Sequence, residues 1–154
     1  MKIFGTFFLY FLLILNSAAE DRENELDKLF DELKTNNLSS AYEIEKKIWD
    51  IWTTHPSNKN LTYLLSRGVT FMNSELFVDA EIIFSAVIKK DPSWAEAWNK
   101  RATVLYLMGK YEDSQNDIDK VLKIENRHFG ALSGQALVQM KLKNYEKALK
   151  SYKK

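Results

Sequence analysis

The side chains best equipped for chemistry crowd into one stretch, Trp94 to Ser114, where Asn99, Lys100, Arg101, Glu112 and Asp113 stand among Trp98, Tyr106 and Tyr111. Beyond them there are two histidines, His55 and His128, and the run Asp113, Asp117, Asp119. Acid–base or nucleophilic work needs a base within hydrogen-bond reach of its partner, and a metal needs several ligands converging on one point. The histidines lie far apart along the chain in predicted turns, with no HExxH pair, phosphate-cradling glycine loop or serine elbow beside either. The three aspartates hint at a calcium loop, but its central Gly and closing Glu are missing. On a helix they fall on an outward, solvated face. Glu112 and Asp113 are adjacent, so a helix points them apart. The chain has no cysteine, which removes disulfides, thiolate metal sites and a cysteine nucleophile. Neither catalysis nor a cofactor or metal is expected of these residues.

The elements that must position them are helices. From residue 22 onward apolar residues recur at intervals of three and four, and proline occurs only at Pro56 and Pro92. Turn signals at 35–39, 53–59, 73–75, 91–93, 109–110, 125–127 and 143–144 leave about seven helices of ordinary length. Upstream, DKLFDELK and SAYEIEKKIWDIW read as two amphipathic helices, with Ser40 and Glu43 spaced as a capping box. Trp49 and Trp52 share one face of the second helix, where core packing is their expected role.

Slid along itself by one constant offset, the sequence superposes on itself twice. Leu64 meets Trp98 and Leu132, Arg67 meets Arg101 and Gln135, Gly68 meets Ala102 and Ala136, and Met72 meets Tyr106 and Met140. Phe77 meets Tyr111 and Tyr145, Ala80 meets Ser114 and Ala148, and Phe84 meets Ile118 and Tyr152. The stretch from Trp94 to Ser114 is therefore the middle copy of a helix-turn-helix unit, and its aromatic residues are first of all packing residues. Arg67 and Arg101 are expected to pack their stems along neighbouring helices and to hydrogen-bond between helices, since an unpaired buried charge costs several kcal/mol. Gly130 and Gly134 each cost about 1 kcal/mol relative to Ala in a helix. Either a close helix approach or a ligand lying across bare backbone would compensate.

At the other end, MKIFGTFFLYFLLILNSAAE has the layout of a secretory signal peptide: Lys2, an apolar run over 3–15, then Ser17, Ala18 and Ala19. Thirteen helical residues span about 20 Å, short of a hydrocarbon core of about 30 Å. Residues 1–19 are expected to be removed, and the mature chain to be exported, periplasmic or secreted, with no membrane span. It would then carry 21 basic and 21 acidic groups, a balance with no pull toward nucleic acid. The charge is uneven: residues 20–59 hold ten acidic and six basic groups, residues 129–154 one and six.

The spacing of Leu64, Gly68, Ala80, Phe84 and Pro92 resembles the tetratricopeptide repeat, with copies over 61–94 and 95–128 and an incomplete one over 129–154. The pattern departs from the family at Asn126, where a proline is usual, and in the arginine column. The mature chain is also similar to small exported tetratricopeptide-repeat proteins of Gram-negative bacteria. That resemblance implies an all-α solenoid, a right-handed superhelix of helix-turn-helix repeats over 60–154, with the hairpin over 20–59 capping the stack. It also implies a non-catalytic module that binds a peptide or partner helix on the concave face of its first helices. The groove residues so implied are Leu65, Val69, Met72, Asn99, Thr103, Tyr106, Ser133, Leu137 and Met140, with Glu96 and Gly130 beside them. Lys and Asn, which clamp a terminal carboxylate in some members, are replaced here by Leu65 and Val69. The alternative is a self-associating structural subunit of a cell-envelope assembly. Copy three stops short of a full unit, so Tyr145, Leu149 and Tyr152 are expected to lie beside an uncapped end where two chains could meet.

Overall fold

Three recurring backbone turns set the frame of the repeats. Glu75, Gly109 and Lys143, which hold the same place in successive copies, have φ of 60°, 76° and 61°. Each follows the last turn of a first helix and closes it twice over: Leu76 N–H donates to Phe71 O and Glu75 N–H to Met72 O, both at 3.0 Å. The same pair of bonds recurs at Lys110 with Leu105 and Gly109 with Tyr106, and at Asn144 with Gln139 and Lys143 with Met140. This is the six-to-one, five-to-two pattern that ends a helix in a left-handed residue. Only the middle copy uses glycine for it; Glu75 and Lys143 adopt the conformation against their side-chain preference. Between copies a second device repeats. Asp91 Oδ1 accepts the Ser93 N–H at 2.8 Å, and Glu125 Oε1 accepts the Arg127 N–H at 3.0 Å, so the turn survives the exchange of Pro92 for Asn126.

The structure, a computed structural model, describes residues 20–35 and 38–153. They form eight helices and no strand: α1 over 20–35, α2 Leu38–Thr53, α3 Lys59–Asn73, α4 Phe77–Lys90, α5 Ala95–Leu107, α6 Tyr111–Ile124, α7 Phe129–Lys141 and α8 Tyr145–Tyr152. None of them is long and apolar enough to cross a membrane. The signal peptide expected over 1–19 lies outside the described residues. The chain divides into two compact units between Asn58 and Lys59.

In the first unit, Leu26 and Leu29 of α1 and Ile44, Ile48 and Trp52 of α2 are buried. Trp52 packs edge-on against Trp49 with ring centroids 5.5 Å apart and lies 5.9 Å from Phe30, so both tryptophans are packing residues. Arg22 donates to the carbonyls of Ile51 and Thr54 at the end of α2, where helix carbonyls lack partners. His55 Nδ1 accepts the N–H groups of Ser57 and Asn58. α2 begins at Leu38, ahead of Ser40, so Ser40 is not the cap expected from its spacing to Glu43.

In the second unit, α3 pairs with α4, α5 with α6 and α7 with α8, and each hairpin packs on the next. The first helices also touch one another, α3 with α5 and α5 with α7, which makes them the inner layer of the stack. Leu61, Leu65, Phe84, Val87, Trp94 and Val104 form one core cluster; Ala102, Ile118, Val121, Ala131 and Val138 form the next.

The arginine column behaves differently in each copy. Arg101 forks onto Asp117, Nε to Oδ2 at 2.7 Å and Nη2 to Oδ1 at 2.8 Å, and Nη1 reaches Ser85 Oγ at 3.0 Å on α4. The hydrogen bonds to Asp117 raise the guanidinium pKa further above its ordinary value. Asp117 is thus buried and paired, a correction to its reading as part of a solvated face. In copy three Gln135 Oε1 accepts from Ser151 Oγ at 2.8 Å. In copy one Ile83 stands where Asp117 does, and Arg67 is exposed, its guanidinium 6.0 Å from the centroid of Phe71; among the described residues it does not make the interhelical bond expected of it. Asp117→Ala is expected to cost about 2 kcal/mol, because Arg101 is left half-buried without its carboxylate. Urea unfolding of Asp117→Ala and of Arg67→Ala checks this, the latter changing stability by less than about 0.5 kcal/mol.

Candidate functional site

Along α5 the residues Asn99, Thr103 and Tyr106 follow one another at helical spacing, and along α7 so do Gly130, Ser133, Gly134 and Leu137. Because α5 and α7 are neighbours in the inner layer, the two faces meet. They enclose a cavity of about 190 Å³ whose floor is Ala102, Ser114, Ile118 and Val138. It is open, mostly apolar inside, and edged by the polar groups of Asn99, Thr103 and Ser133.

Gly134 leaves part of this room open. A Cβ on Gly134 would meet only Ile118 Cδ1, at 3.6 Å, an ordinary contact. Packing alone therefore does not require glycine there, and the close helix approach that could have explained it is not present at this residue. At Gly68 the situation is reversed: a Cβ would collide with Cε1 of the Phe84 ring, so that glycine is required by packing.

Asn99 is 6% exposed and lines the cavity. Its Nδ2 donates to Glu96 Oε2 at 3.0 Å, which fixes the carboxamide, while Oδ1 accepts no hydrogen bond among the described residues. Thr103 Oγ1 is turned back to the Asn99 carbonyl at 3.0 Å. Tyr106 is half-buried with its ring 5.5 Å from that of Tyr111.

Behind Asn99 lies a buried polar cluster. Glu96 and His128 are both 0% exposed, and Glu96 Oε2 lies 3.0 Å from His128 Nε2. His128 Nδ1 accepts the Ala131 N–H at 3.1 Å and so caps α7, which places the ring proton on Nε2, facing the carboxylate. Lys100 Nζ approaches Glu96 Oε1 at 2.9 Å. Burial opposes ionisation of Glu96, but the hydrogen bond from His128 and the positive charge of Lys100 outweigh it and hold the carboxyl below its ordinary value. Both imidazole nitrogens are occupied and no solvent reaches the pair. It ties the start of α5 to the start of α7 and steadies Asn99.

Five of the expected groove residues, Asn99, Thr103, Tyr106, Ser133 and Leu137, are brought together around this cavity. Met140 is exposed one turn beyond Leu137 and does not line it. Val69 and Met72 are half-buried against the core of copy one. Leu65 is a correction: at 2% exposed it is part of that core, since an aliphatic side chain in its column turns into the apolar hairpin. Glu96, expected on the open face, is also interior. Its pairing with His128 escaped sequence reading; the one signal was that Glu96 opens one first helix and His128 precedes the next.

No protein-family model matches the chain. It is 33% identical over 144 residues to a TPR repeat-containing protein of Rhizobium etli, an alignment covering 88% of this chain and 70% of that protein. Among solved structures it is similar to a point mutant of MamA, with a TM-score of 0.56 and 14% identity over 86% of this chain and 93% of the other. It is also similar to the TPR2AB domain of yeast Sti1 in its pHSP90 complex, with a TM-score of 0.59 and 18% identity over 89% of this chain and 54% of the other. At these identities the structural likenesses speak for the fold, a helix-turn-helix repeat solenoid.

Proposed function

The chain belongs to the tetratricopeptide-repeat family, and on that premise we propose that it is a non-catalytic binding module that takes a peptide or partner helix against α5 and α7. The observation that carries this reading is the cavity between Asn99 and Gly134. Its size suits one apolar side chain rather than a whole small molecule, for which pockets of about 300–1,000 Å³ are usual. The open acceptor Oδ1 of Asn99 at its edge suits a backbone N–H of the same ligand. In the Sti1 structure a TPR domain is in complex with pHSP90; a bound peptide segment is the corresponding ligand class here. Export with removal of residues 1–19 completes the proposal, and mass spectrometry of the chain recovered from a periplasmic fraction would then find Glu20 at its amino terminus.

The test is selection from a random peptide library. Wild-type protein is expected to enrich peptides that share an apolar anchor, and Gly134→Leu, which fills the cavity, to weaken capture at least about tenfold while its melting temperature stays within a few degrees. Unchanged capture by Gly134→Leu would sink the proposal, and a loss of stability in step with binding would return the glycine to a packing role. The alternative, a self-associating envelope subunit joined through α8, draws on the exposure of Tyr145 and Leu149; the side chain of Tyr152 lies outside the described residues. It calls instead for an assembly that is indifferent to peptide and dispersed by Leu149→Lys.

A further inference from the structure

The outward face of α4 differs in kind from the same face of its sister helices. Val78 and Ile82 are 59% and 62% exposed, and Leu76 and Ala86 beside them are exposed too. One copy on, their columns hold Lys110, Glu112, Asn116 and Lys120, all exposed. Two copies on, Glu146 and Lys150 stand in the Val78 and Ile82 columns, again exposed. Those columns face solvent in each copy among the described residues, and in them α4 alone is apolar; the exposed Tyr145 and Leu149 of α8 stand in other columns. An uninterrupted exposed apolar stripe on one helix marks a contact surface.

The charges around the stripe indicate what covers it. Glu75 and Asp79 lie at the amino end of α4 and Lys89 and Lys90 at its carboxyl end, and all four are exposed. Glu75 and Lys89 make no ion pair among the described residues. Glu75 stands in the turn before α4 and Lys89 in its last turn, while on the helix Val78 and Ala86 lie four residues to either side of Ile82. An antiparallel copy of the same helix centred on Ile82 would set Ile82 against itself and Val78 against Ala86. It would also lay the basic carboxyl end of each α4 alongside the acidic amino end of the other, with Lys89 on the side of Glu75, which stands in the turn just before the helix. A surface complementary to itself under a two-fold rotation is what an isologous dimer requires. We propose that α4 is the interface of a homodimer, with Ile82 on the two-fold axis and Glu75–Lys89 pairs at both ends. One helix per copy is a small interface, so the dimer is weak and concentration-dependent. It leaves the cavity between α5 and α7 uncovered, and it stands whether or not that cavity binds peptide.

Since the chain has no cysteine, full-length Ile82→Cys carries a single thiol. A short bis-maleimide is expected to link it into dimers at least about five times as fast as Asn116→Cys, the equivalent outward residue of copy two. In the Ile82→Cys background, Lys89→Glu or Glu75→Lys alone slows linkage, and the two together restore it. Glu75→Lys remains folded because Lys143 already occupies the same turn position, at φ 61° against 60°. Equal rates for Ile82→Cys and Asn116→Cys would overturn the interface. So would a double charge reversal that fails to restore linkage.

Discussion

Glu96→Ala is expected to lower the unfolding free energy of the repeat unit by about 3 kcal/mol, since it removes the buried carboxylate on which His128, Asn99 and Lys100 converge. His128 Nε2–H, Asn99 Nδ2 and Lys100 Nζ all converge on this carboxylate. Glu96→Gln keeps an acceptor for His128 and gives up the charge, and should cost about half as much. The two variants separate by pH as well. Because the folded-state pKa of Glu96 is lowered from its ordinary 4.5, its contribution is fully present above that pH and is lost as the pH falls through the depressed folded value. The stability gap between wild type and Glu96→Gln should therefore be constant near neutrality and shrink in acid below about pH 4.5. Urea titrations across that range read it directly. A gap that stays constant down to pH 3 would mean that the carboxylate is not what Lys100 and His128 stabilise.

Gly68→Ala is expected to cost nearly as much, about 3 kcal/mol, although it adds one methyl group and removes the entropic handicap of a helical glycine. Three carbons of the Phe84 ring lie within 2.9 Å of where that methyl would sit. Phe84 is itself fully buried, so the ring has nowhere to turn without disturbing Leu61, Leu65 and Val87 around it. Pairing the change with Phe84→Leu should recover stability relative to the sum of the two single variants by at least about 1 kcal/mol, measured as a double-mutant cycle. Gly134→Ala makes the contrast. With only an ordinary contact to Ile118 in its way it should stabilise by up to about 1 kcal/mol. Purely additive Gly68 and Phe84 effects would show that the close approach is not the cause.

The contrast between the two glycines shows what the sequence could and could not convey. Repetition was legible because every copy has to pack in the same way. A small residue at 68, 102 and 136 and a large one at 84 and 118 recur in register, and that alone implied paired helices stacked in series. The inner faces of α5 and α7 came with the resemblance to the repeat family, which put Asn99, Thr103 and Tyr106 on one first helix and Ser133 and Leu137 on the next. What remained hidden was how a shared column is used. Leu65, Asn99 and Ser133 occupy one column, yet the first is core, the second a braced wall of the cavity and the third exposed. Arg67 and Arg101 share another, and only the second finds a carboxylate, because Asp117 rather than Ile83 faces it. Asp117 read alone is one more charge on an amphipathic helix, and His128 one more polar residue in a turn. Their partners come from different helices, 16 and 32 residues away. Periodicity along one helix says which way a side chain points. Whether it then meets solvent, a methyl group or an opposite charge depends on how closely the neighbouring helix lies, a distance set by every side chain in the interface at once, and so by the tertiary structure alone.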